Sequence, residues 1–340
     1  MKKRDTNINQ HYVPQLYLRN FTNDRGKLHV YDILRDNPYV TSPAKECYEK
    51  YFYDIDTEIF KLFTDSKENY EELVDDRIRL LNEKVSSILL NFLNTIKDEK
   101  VDFQFEREDR NKLYNFIVLQ VIRTPFYRER LKYLNVPFCI KTGLSGDLGD
   151  EKTQDLIHNL LILGVLNKLH NTEFHLTKLY FTIFEHLINE ILDLKRQLEK
   201  SGKLFLVNKT SSEFICSSSP VNVLWKDNMF ASHKALVTTF DDKKLFDIGD
   251  YLEFQTIHLP ISSDVAIFLF DKNYSQNLTA MNQGIGLIQD WNSDLLLNLN
   301  YSTMLKNGHK IYSASGDYSK MLQMRKERIN PMMNFRFGDE

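Results

Sequence analysis

Ser201-Gly202-Lys203-Leu204-Phe205-Leu206-Val207-Asn208 is where the chain changes character. Before it, apolar residues recur every third or fourth position. After it, they gather into short β-branched and aromatic runs separated by polar turns. The first pattern coats one stripe of a helix and the second coats the face of a sheet. A block of helices followed by a block of strands predicts an α+β protein, not an alternating βαβ architecture.

Working back from that boundary, residues 151–171 and 173–200 read as two helices. The glycine-rich stretch 143–150 reads as a loop and the best hinge between helical hairpins. A further helix covers 106–133, and Pro125 predicts a break near Arg123 and Thr124, because proline lacks the N–H that a helix needs. Leu73, Ile78, Leu81, Val85, Ile88, Leu89, Phe92 and Ile96 mark one long amphipathic helix over 69–98. Earlier still, Asn23-Asp24-Arg25-Gly26 is a turn signal that opens a strand over 27–33, the start of a short N-terminal hairpin. Working forward, strands are expected at 204–208, 213–216, 235–240, 253–259 and 265–270. A helix follows over 275–305, weakened in its middle by Gly284 and Gly286, and 311–314 forms a last strand. The expected arrangement is a single domain over 1–340, with the helical block of 69–200 packed on a C-terminal, mainly antiparallel sheet. Its subregions are 1–68, the box and hairpin; 69–200, the helices; and 201–340, the strand-rich region with a late helix.

Length and composition suit a folded chain. With 340 residues and 42% hydrophobic content a sizeable core is available. The 44 basic and 47 acidic residues leave a net charge of -3, so no global basic field argues for nucleic acid, although a local patch is compatible with it. Cys47, Cys139 and Cys216 lack C-x-x-C spacing, which fits buried thiols in a reducing cytoplasm better than a disulfide framework. The basic start Met1-Lys2-Lys3-Arg4 runs into polar residues, so no secretory signal is expected. The longest apolar stretch, 156–169, carries His158, Asn159, Asn167 and Lys168 and reads as a buried helix, not a membrane span.

Chemistry concentrates in three places. The first is His11-Tyr12-Val13-Pro14-Gln15-Leu16-Tyr17-Leu18-Arg19-Asn20-Phe21. Pro14 holds Val13 extended and suits a helix start, which places Gln15 and Arg19 on one helical face with His11 just ahead of it. An imidazole, an amide and a guanidinium then converge, although the same residues also serve as a helix end with a solvated arginine. The second is Gln120 and Arg123, three apart inside the apolar run 116–122. Buried unpaired, either would cost on the order of 1 to 3 kcal/mol, so both need partners or a cavity. An internal tie between helices and a phosphate-holding role fit Arg123 equally. The third is Asp76 and Glu83, two turns apart on the first long helix, a spacing that presents paired carboxylates to a divalent metal. Arg77, Arg79 and Lys84 would equally make them a neutralised, solvated face. Ser217-Ser218-Ser219-Pro220 ends a strand with three hydroxyls, but no G-x-S-x-G elbow surrounds it. No Walker loop, dinucleotide fingerprint, H-E-x-x-H helix or kinase loop is present.

These elements together resemble a bacterial domain-of-unknown-function family, DUF4238. The resemblance spans nearly the whole chain. The box of the form His-Tyr-Val-Pro-x-x-Tyr-Leu-Arg-Asn-Phe is matched at 11–21, and a Gln-x-x-Arg-Thr-Pro element at 120–125. Spaced acids on the first long helix fall on Asp76 and Glu83. The family's Ser-Asp-Asn-Pro turn aligns with Ser217-Ser218-Ser219-Pro220, where Ser218 replaces the acid, which puts a catalytic role for that turn in doubt. Residues 257–262 and 298–300 also resemble family positions.

Two functions are compatible with this reading. One is a nuclease or other phosphoester-processing effector in phage defence or a toxin-like role. Arg19 and Arg123 would hold phosphate, His11 would transfer protons with Gln15 and Gln120 beside it, and Asp76 with Glu83 would hold a divalent metal. The other is a non-enzymatic module that senses an anionic ligand or a protein partner through the same arginines. The defence association comes from the family resemblance alone.

Overall fold

The computed structural model describes residues 9–55, 61, 73–97, 106–131, 151–170, 177–224, 256–270, 284–288, 293–306 and 309–336. The chain divides into two compact units, each assembled from separate stretches: Met1–Leu16, Glu46–Ser201 and Leu245–Glu253 in the first, Tyr17–Lys45, Gly202–Lys244 and Phe254–Glu340 in the second.

The first unit opens on strand β1 (Asn9–His11), which pairs antiparallel with β4 (Tyr48–Lys50) so that His11 lies opposite Tyr48. Among the described residues, five helices carry its core. In α2 (Leu73–Lys97) the residues Val74, Ile78, Leu81, Val85, Ile88, Leu89 and Phe92 are buried at steps of three and four. Helix α3 (Arg107–Ile122) is buried on every side from Leu113 onward, which makes it the central helix of the unit. It stops at Arg123 and Thr124, where the chain enters α4 (Pro125–Leu131). Arg123 still donates its N–H to the Leu119 carbonyl at 2.9 Å, whereas Pro125 has none to give. Helix α5 (Glu151–His170) packs on α6 (Lys178–Lys200), which Thr177 caps by accepting the Tyr180 N–H. Gly164 permits that approach: a methyl group there would run into the Tyr180 hydroxyl and come within 2.5 Å of Ile188 Cδ1. The Tyr180 hydroxyl donates instead to the Leu160 carbonyl at 2.6 Å.

The described residues of the second unit form two sheets. Strands β2 (Leu28–Asp32) and β3 (Asn37–Thr41) form the N-terminal hairpin. They join β6 (Cys216–Ser217) and β11 (Lys310–Ser313) in an antiparallel sheet of order β3-β2-β11-β6. The other sheet contains β5 (Gly202–Asn208), β7 (Asn222–Leu224), β8 (Thr256–Pro260), β9 (Val265–Phe270) and β10 (Gly284–Ile288), in the order β10-β5-β9-β8-β7. Among the described strands of this sheet the β10–β5 pair is parallel and the other pairs are antiparallel. Helices α7 (Ser293–Lys306) and α8 (Ser319–Arg336) supply Tyr301, Met304 and Met321 to a core shared with Tyr31, Ile215, Ile311 and Tyr318.

The α+β class and the helical character of the described part of 69–200 agree with the sequence. Two local expectations need correction. Residues 284–288 form a strand, not the middle of a helix. Each glycine costs a helix about 1 kcal/mol relative to alanine, while an extended Gly-Ile-Gly-Leu-Ile finds a full ladder partner in Leu204 to Asn208. The strand expected at 213–216 shrinks to Cys216–Ser217. Upstream of it the backbone is held from outside the sheet: Ile215 N–H goes to Asn300 Oδ1 at 3.1 Å, Asn300 Nδ2 donates to the Glu213 carbonyl at 2.7 Å, and Phe214 N–H goes to the Ser263 carbonyl at 2.7 Å. The run at 235–240, the loop at 143–150 and Cys139 lie outside the described residues. No helix among the described residues is long and apolar enough to cross a membrane.

Candidate functional site

Arg123 is the largest fully buried side chain of the described residues, and a polar cluster in the first unit is built around it. The break between α3 and α4 puts its guanidinium among three partners. Nε and Nη2 both donate to Gln120 Oε1, the former at 2.9 Å, and Nη1 donates to Asn82 Oδ1 of α2 at 3.0 Å. The Phe116 ring lies 5.4 Å from the guanidinium carbon, a cation–π contact. Gln120 turns its amide N–H to the carbonyl of Tyr12 at 2.9 Å, which ties the N-terminal box to the end of α3. The box is fixed further by Tyr12 N–H to the Cys47 carbonyl, by the Tyr53 hydroxyl to the His11 carbonyl, and by Gln10, whose amide joins Asp54 and the Tyr53 N–H.

Electrostatics set this cluster apart. Burial pushes the Arg123 guanidinium down to about 10, opposed by nearby Tyr53 and Asp75, and at that value it stays a cation at neutral pH. Its hydrogen-bond partners are neutral amides. Asp75, half-buried in the first turn of α2, is pushed up to about 6, first by burial and then by Asp76, with Arg79, Asp54 and Arg123 as its other charged neighbours. No hydrogen bond joins Asp75 to Arg123 among the described residues. Burial also raises the Tyr12 and Tyr53 phenols, so both remain neutral donors.

The residues singled out in the sequence separate into distinct settings. His11 is half-buried, its ring 5.3 Å from that of Tyr48. Gln15 is half-buried in the short helix α1 (Gln15–Leu18) that follows Pro14. Arg19 begins a 3₁₀ turn, Arg19–Phe21, with an exposed side chain, and belongs to the second unit. In that unit Tyr17 donates to the Pro260 carbonyl and Asn20 to the Ile261 carbonyl. Asp76 and Glu83 are exposed, and both are paired to the Arg79 lying between them, at 3.1 and 3.0 Å. Among the described residues no three His, Cys, Asp or Glu side chains form a metal-holding group. In the serine turn, Ser217 Oγ donates to the Ser219 carbonyl at 2.8 Å and takes the Ser219 N–H, so that hydroxyl is spent on its own turn.

Asp75, Asn82 and Tyr53 were not read from the sequence as site residues, although helical phase points to the first two. At roughly 100° per residue, Asp76 and Glu83 fall opposite the buried stripe of α2, whereas Asp75 and Asn82, also seven apart, fall on its flank. The buried stripe is legible in the sequence, and its flank follows from the same 3.6-residue period.

In this α+β chain a buried Gln–Arg pair is tied to the N-terminal His-Tyr-Val-Pro box through the Tyr12 carbonyl. The family model of DUF4238, described as a protein of unknown function, matches residues 9–317, and the chain belongs to this family. Comparison with curated proteins and with solved structures gave no match.

Proposed function

We propose that the protein recognises a phosphate-bearing anionic ligand through the Arg123 cluster. The observation that carries this reading is the state of the guanidinium. It is a buried cation whose three hydrogen bonds go to amide oxygens, and among the described residues no carboxylate bonds it. Nη1 and Nη2 each carry a second hydrogen beyond the bonds to Asn82 and Gln120, which suits a planar, bidentate grip on an oxyanion. Asn82 and Asp75, half-buried on α2, are the members of the cluster nearest solvent. On this reading Gln120 and the Tyr12 carbonyl orient the arginine. The buried thiols Cys47 and Cys216 suit the reducing cytoplasm in which we place the protein.

The test is calorimetric titration of the full chain with inorganic phosphate and with a nucleoside monophosphate, on the wild type and on Arg123→Lys. Lysine keeps the charge and loses the fork, so binding should weaken at least about tenfold while the fold survives. Equal affinity in the two proteins, or no binding by the wild type, would remove Arg123 from the role.

Phosphoester processing, including nucleic-acid cleavage in a defence or toxin-like setting, is the second reading. What favours it is Asp75, a carboxylate beside a cationic anchor with its pKa near 6, in the range useful for proton transfer. A metal held by Asp76 and Glu83 would first have to displace Arg79 from both. Hydrolysis of a phosphodiester reporter that is lost in Asp75→Asn, and is unaffected by replacing both Asp76 and Glu83 with alanine, would favour this version over simple binding.

A further inference from the structure

His258 on β8 is fully buried, and so are its cross-strand partner Asn222 on β7 and Thr303 on α7. Hydrogen bonds among the three fix the state of the ring. The Thr303 hydroxyl spends its one hydrogen on the Leu299 carbonyl at 3.0 Å, so toward Asn222, 2.8 Å away, it accepts. Asn222 therefore places Nδ2 beside Thr303 and turns its second amide hydrogen to His258 Nδ1, at 3.4 Å. An accepting Nδ1 carries no proton, so the imidazole is neutral with its hydrogen on Nε2. Its aromatic neighbours are Phe214, with a ring centroid 5.8 Å away, and Phe268, directly opposite on β9. None of these groups is titratable. Among the described residues no charged side chain acts on the ring, and burial pushes it down to about 3.

An imidazolium does not fit this arrangement. It carries a hydrogen on each nitrogen, so Nδ1–H would meet the Asn222 N–H, donor against donor. Rotating the Asn222 amide would give Nδ1–H an acceptor. Nε2–H would still lack a partner among the described residues, and the buried charge would lack a counter-ion. Relief has to come from solvent, and β7 is the strand that can yield. Its described span is only Asn222–Leu224, at the end of the five-stranded order, whereas β9 is held on both sides by β5 and β8. We infer that the His258–Asn222–Thr303 relay is an acid-sensitive latch: the neutral imidazole holds edge strand β7 to β8 and α7, and protonation releases β7 from the sheet. The latch lies within the second unit and does not depend on the anion reading.

The test is hydrogen exchange read by mass spectrometry on the full chain from neutral pH into mild acid, corrected for the intrinsic pH dependence of amide exchange. Peptides spanning β7 are compared with peptides from β5 and β9. An opened strand exposes an ordinary histidine that takes up one proton below about pH 6.5. Opening of β7 should then grow about tenfold for each further pH unit while β5 and β9 stay protected. In His258→Gln, which has no proton to gain, this growth should vanish. Thr303→Val removes the acceptor that orients Asn222, so β7 should exchange faster at neutral pH and still respond to acid. Should His258→Gln fail to fold, imidazole nitrogen shifts in the wild type decide: the folded ring should stay neutral, with its hydrogen on Nε2, throughout. A ring that protonates while β7 remains protected overturns the latch. So does β7 protection that ignores pH, or an acid response that survives in His258→Gln. Loss of protection in β5 and β9 in step with β7 is global unfolding and overturns it as well.

Discussion

At the scale of single residues, Arg123 shows how a costly group is kept. Its charge is buried without a hydrogen-bonded carboxylate, and its three bonds to Gln120 and Asn82 offset the lost hydration. Arg123→Met should therefore destabilise by about 1 to 3 kcal/mol for each amide oxygen left without its donor, measured by chemical denaturation. A loss below about 0.5 kcal/mol would mean that the amides repair themselves with other donors. Asp75 behaves oppositely. Its carboxyl is raised from the ordinary 3.8 to about 6, so the folded state holds its proton more tightly than the unfolded state does. Its contribution to stability is thus complete below about pH 4 and is lost as pH climbs through about 6. Asp75→Asn should flatten the stability profile across that window and make the protein more stable than wild type at neutral pH. An unchanged profile would show that another group governs it. Both residues were reachable from the sequence to different degrees: Arg123 stood out as a charge in an apolar run, whereas Asp75 looked like one more acid on a charged helix.

Among the elements, helix contacts are decided by small residues and by polar ties. Gly164 in α5 is a close-approach position for Tyr180 and Ile188 of α6. Gly164→Ala gains helix propensity of about 1 kcal/mol but forces the Tyr180 hydroxyl from the Leu160 carbonyl, and overpacking of this kind costs typically 1 to 3 kcal/mol. The expected result is a lower melting temperature; a higher one would mean that Tyr180 swings aside without loss. The break at Arg123 and Thr124 was legible because proline is a local device. The identity of 284–288 was not. Gly-Ile-Gly-Leu-Ile has no strong preference of its own, and β5, some eighty residues away in the chain, supplies the ladder that makes it a strand.

For the whole molecule, the N-terminal segment serves both compact units. Residues up to Leu16 and from Glu46 belong to the first, and Tyr17–Lys45 to the second. Deleting residues 9–45 would take β1 from its pairing with β4 and remove β2 and β3 from the four-stranded sheet, where β2 is the partner of β11. Such a truncation should yield protein without near-ultraviolet circular dichroism, since both cores lose packed layers. A native-like spectrum would show that the N-terminal segment is dispensable. The sequence by itself determined the α+β class, the helices between Leu73 and Lys200, the break after Ile122 and the family, because periodicity, proline and a dense motif act over a few residues and need no partner. Only the tertiary structure decided that Asn82, and not Asp76 or Glu83, bonds Arg123, that Arg19 lies in a different unit from Gln120, and that β10 is a strand. Those outcomes depend on which helix flank meets a neighbour and which edge finds a ladder, and both are set by residues far apart in the chain.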